Sequence, residues 1–481
     1  MNEILKLSGT AQARLIRDGT ISSAELVEAH LDHIEAINPA LNAVVEVLGD
    51  TAREAARASD ARKSRVTLLS PLDGVPFSIK DSIEVASTIC TAGTVGRRNA
   101  PPSPHDATLV ARLRAAGAIP LARTNLPDLL FAFESDNLIH GRTNNPYDVT
   151  RTSGGSSGGE AALISACGSP FGLGSDAAGS VRLPAHYCGI AALKPTSGRL
   201  ARTGHVPPAG GWLEMIWQIG PMSRHIEDLQ TLLPLLLGSD GHDHTVIEMP
   251  YEMESNVGQA FQPARRVVLG VPDPLRIAFF TSNGIAPVTP ETAAVVHRAA
   301  HALASAGAIV EERTPPGIDQ TYDLEMQLIG PDGGDALRQF LRDTGSHQTH
   351  PLLDAWLAKL EPYRTTLAGF ADCWARLDQF RSGMFAFMKD FDAILSPVSS
   401  TPAVPHGTSI EDPTFRGYSY TMTHNLTGWP AAVIRCGGVT LPIAVQIAAR
   451  PWREDIALAI ATHLETALGG WKPAALTPAN R

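Results

Sequence analysis

Residues 153–185 have the sequence SGGSSGGEAALISACGSPFGLGSDAAGSVRLPA, in which two runs of glycine and serine flank a short apolar stretch. The first run leads directly into apolar residues typical of a buried helix, whereas a flexible linker would separate two folded units. It lacks the Lys-Ser/Thr ending of a P-loop, and its glycines do not follow the G-x-G-x-x-G pattern of dinucleotide-binding turns. The pattern therefore favours a structured site over a linker or a phosphate-binding loop.

The second run ends in a turn of small residues, 177–180, where successive backbone N–H groups can converge on one point. Such a turn can stabilise a developing oxyanion, and one lost donor typically raises the barrier by about 3–4 kcal/mol. A serine at its end would hold a hydroxyl close to the same point. Ser180 is therefore the predicted nucleophile, and Ser156 in the first run is its predicted partner.

A serine hydroxyl needs a base before it can attack. The chain has 16 histidines, and none of them lies in a recognisable catalytic motif. No G-x-S-x-G surrounds Ser180, but a histidine-based triad stays open: His186 lies in the same region, while His105, His140, His205, His225 and His424 resemble ordinary loop residues. Lys80 is the other candidate, because it ends a strand-like stretch at 75–80 and its neighbour Asp81 would point to the opposite face. If Lys80 is desolvated, its pKa is lowered and its amine can be neutral near pH 7. The simpler interpretation is a strand-end lysine whose ammonium group reaches solvent.

Helical and strand-like patterns alternate along the rest of the chain. Residues 22–25 form a capping-box pattern, and strand-like residues 275–280 and 308–312 flank a helical stretch at 290–306. This alternation indicates an α/β protein whose mixed or parallel sheet is covered on both faces. The length of 481 residues alone would suggest two or three domains.

The composition argues against several classes of protein. A formal net charge of −10 without a dense Lys/Arg run disfavours binding to nucleic acid or anionic membranes. Five cysteines without a C-x-x-C pair argue against a disulfide framework or a zinc knuckle. No apolar run is long enough to span a bilayer and no signal-peptide pattern is present, so we expect a cytoplasmic protein without a membrane anchor.

Three blocks resemble the amidase signature family: GVPFSIKD at 74–81, GGSSGG at 154–159 and GSDAAGSVRLPA at 174–185. Further similar blocks follow in the family's order, namely CGIAALKPT at 188–196, IGPMSR at 219–224, NLTGWP at 425–430 and LPIAVQ at 441–446. The stretches most similar to the fatty acid amide hydrolase and acetamidase branch are 160–164, 168–174 and 331–335. The resemblance therefore extends over nearly the whole chain.

The resemblance implies a single large α/β domain over residues 1–481, with a central mixed β-sheet covered by helices on both faces. Its expected parts are N-terminal helices at 1–65, a catalytic core at 66–237, an excursion or linker at 238–272, a C-terminal α/β part at 273–470 and a tail at 471–481. It also implies a cis peptide between Gly155 and Ser156, and neither a metal nor a cofactor.

The resemblance further implies a mechanism in which neutral Lys80 takes a proton through Ser156 while Ser180 attacks the carbonyl carbon. The roles of the remaining residues are also carried over: the backbone N–H groups of Ala177, Ala178, Gly179 and Ser180 hold the oxyanion, while Ser157, Asp176 and Arg182 orient the lysine and brace the turn. Ala178 departs from the family, in which glycine is usual there. A positive φ at an alanine would cost of order 1 kcal/mol.

The expected substrate is a small molecule with an amide carbonyl. The candidate walls of an acyl or aryl pocket are Leu130, Phe131, Phe133 and the loop at 207–217, which contains Trp212. Core packing would explain the first three residues equally well, and a carbamate or an ester could be attacked by the same residues. We expect a monomer or a homodimer that does not bind nucleic acid.

Two rival functions stay open. One is the glutaminase subunit of a tRNA-dependent amidotransferase, which works with partner chains and needs charged residues around its glutamine. The regions near 128–137 and 205–217 are instead largely apolar. The other is a binding protein without catalytic activity, for which one of the three catalytic residues should be missing.

Overall fold

The computed structural model describes residues 3–208, 210–251 and 274–474. Part of the predicted excursion, residues 252–272, and part of the predicted tail, residues 475–481, lie outside the described residues. Residue 209 of the predicted pocket loop also lies outside them. The boundaries between the parts of the chain stay predictions.

Strands from both halves of the chain form the central β-sheet. The strands are β1 (Val44–Val47), β2 (Pro76–Lys80), β3 (Ile119–Thr124), β4 (Asn144–Asn145), β5 (Asp148–Thr152), β6 (Phe171–Asp176), β7 (Ala191–Lys194), β8 (Gln218–Ser223), β9 (Arg276–Phe279), β10 (Ile309–Glu312), β11 (Ala393–Pro397), β12 (Ala431–Gly437) and β13 (Ile443–Ala449). Eleven of them form one sheet in the order β1-β3-β2-β6-β8-β7-β12-β13-β11-β9-β10, and β4 pairs with β5. One sheet thus joins the two halves in a single domain.

Helices occupy most of the segments between these strands. They are α1 (Gly9–Asp18), α2 (Ser23–Leu41), α3 (Gly49–Ser64), α4 (Thr108–Ala115), α5 (Gly158–Ser165), α6 (Arg182–Cys188), α7 (Ile226–Leu236), α8 (Pro290–Ser305), α9 (Thr321–Ile329), α10 (Asp335–Asp343), α11 (Pro351–Leu360), α12 (Leu367–Phe387), α13 (Ser419–Leu426) and α14 (Glu454–Leu468). None of these described helices is long and apolar enough to cross a membrane.

The sheet is mixed. Strand β2 runs parallel to β3 and β6, β9 runs parallel to β10 and β11, and the other neighbours in the large sheet are antiparallel. Every residue of β2, β3, β6 and β8 is buried, whereas edge strands β1 and β10 are partly exposed. Because successive side chains point to opposite faces, continuous burial means that both faces of the central sheet are covered.

The local sequence signals explain several elements. Ser22 caps α2 in a capping box in which its hydroxyl accepts from the N–H of Glu25, as predicted. Helix α4 ends before Gly117, whose φ of 86° suits glycine. The predicted β-α-β unit is confirmed as β9, α8 and β10, with the two strands paired in parallel.

The parallel pairing of β2 and β6 positions the chemistry. The carboxyl ends of the two strands lie at the same edge of the sheet, because Ile79 of β2 is in register with Leu173 of β6. Lys80 is the last residue of β2 and Asp176 the last of β6. The two stretches that carry the sequence signal therefore meet in space.

Candidate active site

Lys80 is fully buried at the carboxyl end of β2. Its Nζ lies 2.6 Å from Ser156 Oγ, 3.1 Å from Ser175 Oγ and 3.4 Å from the Ser175 carbonyl oxygen. Burial lowers the pKa of Lys80 well below the usual range of a lysine, although the carboxylates of Asp176 and Glu160 act in the opposite direction. An uncharged amine in contact with a hydroxyl can act as a base.

The carboxyl group of Glu160 lies near this lysine but is bound to other residues. It accepts hydrogen bonds from the Ser78 hydroxyl and from Thr124 Oγ1, the latter at 2.6 Å. Burial raises the pKa of Glu160 to about 7, against the lowering effect of these two hydroxyls and of Lys80. Because Glu160 is only partly ionised near neutral pH, it is a weaker counter-ion for Lys80 than an ordinary carboxylate would be.

Ser156 is held in the loop that precedes α5, and the Gly155–Ser156 peptide is cis, as the resemblance implied. The loop packs tightly against the segment that forms the pocket wall. A Cβ atom on Gly155 would lie 2.4 Å from the Ala132 carbonyl oxygen and 2.6 Å from the Glu134 amide nitrogen. Only glycine fits at this position without moving that backbone.

Ser180 is 8% exposed and lines the same cavity as Ser156. Within the described residues, the backbone N–H groups of Ala177, Ala178 and Ser180 have no hydrogen-bond partner. The N–H of Gly179 instead donates to Asp176 Oδ1 at 2.7 Å. Three of the four predicted oxyanion donors are therefore free, and the fourth is bound by a local carboxylate, a short-range bond that aspartate commonly makes.

The unusual alanine of the turn fits its backbone. The positive φ falls on Gly179, at 118°, and Ala178 is not among the residues with positive φ. A Cβ atom on Gly179 would also lie 2.2 Å from Thr421 Oγ1. The turn thus needs glycine at position 179 and tolerates alanine at position 178.

A buried ion pair braces this turn. Arg182 Nε lies 3.0 Å from Asp176 Oδ2 and its Nη2 lies 3.0 Å from Oδ1. Although burial alone would raise the pKa of Asp176, the Arg182 guanidinium holds it well below its usual range. Helix α13 adds Asn425, whose amide donates to Asp176 Oδ1 at 2.9 Å, and Thr421, whose hydroxyl donates to the Ala178 carbonyl at 2.8 Å.

Ser157 contacts Ser175 and reaches Lys80 through it. Its hydroxyl donates to the Ser175 carbonyl and accepts from the Ser175 N–H, both at 3.3 Å. Ser175 was not predicted as a site residue, although it lies between Gly174 and Asp176 in the second glycine-serine run. Its hydroxyl and carbonyl both face the lysine.

A cavity of about 170 Å³ opens beside the two serines and is lined mainly by apolar side chains. The predicted wall residues Leu130, Phe131 and Phe133 line it. Trp217 and Trp356 also line it, and Trp356 packs against Phe131 and Phe133. The sequence pattern did not single out Trp356, which comes from α11, far along the chain.

Trp212 lies outside this cavity, in contrast to its predicted position. Its side chain is 37% exposed, its indole N–H donates to the Leu328 carbonyl at 2.9 Å, and its ring packs edge-on against Phe370. The following residue, Leu213, turns inward and lines the cavity. The backbone conformation of the loop decides which of the two residues faces the site, and the composition of the loop does not reveal that conformation.

His205 is the histidine beside the lysine. Its Nε2 lies 3.0 Å from Ser175 Oγ and its ring packs on Trp217. His186 is bound elsewhere, since its Nδ1 accepts from the Ala444 N–H at 2.9 Å and its Nε2 lies 3.0 Å from the Thr401 carbonyl. Within the described residues, no histidine is hydrogen-bonded to Ser180, and no group of three or more His, Cys, Asp or Glu side chains could hold a metal ion.

Known proteins are similar to this chain over nearly its whole length. Residues 25–458 match the profile of the family named Amidase. The human protein Fatty-acid amide hydrolase 2 is 30% identical over 504 residues, covering 97% of this chain and 90% of its own. A glutamyl-tRNA(Gln) amidotransferase subunit of Chloroflexus aurantiacus is 32% identical over 488 residues, covering 96% of each chain.

A solved structure has the same fold over nearly its full length. The structure of 6-aminohexanoate cyclic dimer hydrolase complexed with substrate superposes with a TM-score of 0.83 at 27% identity, covering 99% of each chain. This similarity and the family profile both extend over the residues that form the site. The chain therefore belongs to the amidase signature family and is a hydrolase of amide C–N bonds.

Proposed function

We propose that the protein hydrolyses small aryl or acyl amides through an acyl-enzyme on Ser180, with Lys80 as the base and Ser156 as the proton relay. The observation that carries the proposal is the 2.6 Å approach of a fully buried lysine nitrogen to Ser156 Oγ, with both serines open to one cavity. A buried amine without its proton is a base that needs no histidine.

In the proposed reaction, Lys80 accepts the proton of Ser156, Ser156 accepts that of Ser180, and the Ser180 oxygen attacks the carbonyl carbon. The negative charge that develops on the carbonyl oxygen meets the free N–H groups of Ala177, Ala178 and Ser180. The proton then returns through Ser156 to the leaving nitrogen, because an amine anion cannot leave. Water repeats the sequence on the acyl-enzyme and releases the acid.

The shape and lining of the cavity support a small apolar substrate. Its volume of about 170 Å³ is close to that of a ~150 Å³ apolar cavity that accommodates benzene. One aromatic ring or a short acyl chain would fill it. An aryl carbamate or an ester presents a similar carbonyl, and a carbamate would give a carbonic half-ester that loses CO₂.

The alternative of a glutaminase that works with partner chains has support from the 32% identity to the Chloroflexus amidotransferase chain. A free glutamine, however, has an α-ammonium and an α-carboxylate that need charged partners. Among the described residues that line the cavity there is no lysine or arginine, and Asp176 is already paired with Arg182. The apolar lining therefore favours an amidase of apolar substrates over a glutaminase. That the chain works without partner chains, as a monomer or a homodimer, is part of the proposal.

A panel of p-nitroanilides, aryl carbamates, p-nitrophenyl esters and glutamine would test the proposal, with gel filtration of the same chain. We expect turnover of the aryl compounds and none of glutamine. Ser180→Ala and Lys80→Ala should each lower kcat by several orders of magnitude, whereas Lys389→Ala, at an exposed lysine, should not. Normal turnover by a folded Lys80→Ala protein would rule out the mechanism.

A further inference from the structure

His205 is built into the segment that follows the lysine. The Val206 N–H donates to the Ser82 carbonyl at 2.7 Å, and the Glu84 N–H donates to the Gly204 carbonyl at 2.8 Å. His205 and Ile83 form the bridge between these two contacts. The imidazole is therefore fixed relative to the end of β2, where Lys80 lies.

The contacts of the ring define its tautomer. Nδ1 lies 2.9 Å from the Pro207 carbonyl oxygen, and a carbonyl oxygen can only accept a hydrogen bond. Nδ1 therefore carries the proton. Burial lowers the pKa of His205 to about 3, so the ring is neutral at pH 7 and its Nε2 has only a lone pair to offer.

The tautomer in turn orients the Ser175 hydroxyl. Ser175 Oγ lies 3.0 Å from this Nε2, and Ser82 Oγ lies slightly farther away at 3.2 Å. Nε2 has one lone pair, and we assign it the single hydrogen of the nearer hydroxyl, that of Ser175. Its oxygen is then left as an acceptor toward Lys80 Nζ, 3.1 Å away.

A neutral lysine has two N–H hydrogens and one lone pair. Both Ser175 atoms near Nζ, the hydroxyl oxygen at 3.1 Å and the carbonyl oxygen at 3.4 Å, must receive hydrogens from it. Only the lone pair is left for Ser156 Oγ at 2.6 Å. After the proton transfer, the three hydrogens of the ammonium face three acceptors, so no group has to turn.

We propose that His205 is a positioning residue for the amide hydrolysis: by holding the Ser175 hydroxyl as an acceptor, it directs the lone pair of Lys80 at Ser156. This inference rests on the proposed function. Without the imidazole, the Ser175 hydroxyl is free to turn and donate to the lysine lone pair. The amine would then present an N–H, and no longer a base, to Ser156.

The rate at which phenylmethanesulfonyl fluoride labels Ser180 tests this role, because sulfonylation needs the same proton transfer and its product is measured by intact mass. His205→Phe keeps a ring on Trp217 and removes the acceptor. We expect its maximal labelling rate to fall about 10- to 100-fold, part of what a general base contributes, with the half-saturating reagent concentration within about twofold. His205→Gln, which retains an acceptor oxygen, should recover most of the rate.

Ser175 variants separate positioning from structural support. Ser175→Ala should also lose rate, because it removes the acceptor that directs the lysine lone pair, whereas Ser175→Thr should retain the rate. The Ser175→Ala/His205→Phe double variant should be no slower than the slower single variant. Ser82→Ala is the matched control, because it removes the other hydroxyl at Nε2 without contacting the lysine. Thermal unfolding monitored by circular dichroism verifies that each variant is folded.

Several results would overturn the proposal: a parental rate in His205→Phe or Ser175→Ala, multiplying effects in the double variant, or an equal loss in Ser82→Ala. A change confined to the half-saturating concentration would show that His205 only lines the pocket. Lys80→Ala separates the two proposals. If it labels at the parental rate, the proposed function fails, whereas an inactive Lys80→Ala beside a fully active His205→Phe refutes the positioning role alone.

Discussion

The protonation state of Lys80 can be measured through stability. In the unfolded chain the pKa of a lysine is about 10.4, whereas burial lowers the pKa of folded Lys80 well below that range. Between the two pKa values the unfolded state binds one more proton than the folded state. The stability of the parent protein therefore rises with pH in this window, up to the unfolded pKa.

Lys80→Met removes this proton difference and keeps an unbranched side chain. One proton corresponds to a slope of about 1.4 kcal/mol per pH unit. If Lys80 is neutral in the folded protein from pH 7.5 to 9.5, the parent should gain about 2.7 kcal/mol relative to the variant over this range. The sign at a single pH also depends on the lost contacts to Ser156 and Ser175, whereas the change with pH reports the difference in bound protons.

The assay is urea unfolding at half-unit pH steps, followed by tryptophan fluorescence, on the parent and Lys80→Met. Lys389→Met, at an exposed lysine, controls for the loss of one positive charge. Parallel curves for the parent and Lys80→Met between pH 7.5 and 9.5 would mean that the folded lysine keeps its proton. Such a lysine could not be the base, and the mechanism would have to be abandoned.

Three further perturbations test the turn, the pocket and the neighbouring carboxyl group. Gly179→Ala places a Cβ atom 2.2 Å from Thr421 Oγ1 at a φ of 118°, so it should lower kcat at least about tenfold. Ala178→Gly should keep a kcat near that of the parent, and equal kcat values for the two variants would contradict the description of the turn. Trp356→Ala should raise KM for one-ring anilides and admit two-ring ones, whereas Trp212→Ala, outside the cavity, should leave both unchanged. Glu160→Gln removes a carboxylate that raises the pKa of the lysine, so the acid limb of kcat/KM should move to lower pH, and movement to higher pH would contradict this role.

Much of the site follows from short stretches of sequence. The apolar strand that ends at Lys80 and the two glycine-serine runs each form a local structure, and the parallel pairing of β2 with β6 brings them together. The capping box at Ser22 and the β-α-β unit are likewise local patterns and were predicted correctly.

The residues that sequence reasoning missed act across the chain. Asn425 and Gln446 contact Arg182 from more than 240 positions away, at separations of 243 and 264. The role of His205 depends on the tautomer that the Pro207 carbonyl imposes. The position of Trp356 in the pocket depends on how α11 packs. Trp212 and Leu213 are adjacent in the sequence, yet only Leu213 faces the cavity. Tertiary packing decides which of these side chains reach the site, and it leaves no local pattern in the sequence.

The apolar lining links substrate choice to the state of the base. Burial is the largest contribution to the lowered pKa of Lys80, and Ser156 and Ser175, which contact its Nζ, both line the apolar cavity. A charged residue introduced to bind glutamine would therefore also change the solvation and the charge around the lysine. The carboxyl group of Glu160, which raises the pKa of Lys80 and itself has a pKa of about 7, is a position at which such a change can be offset.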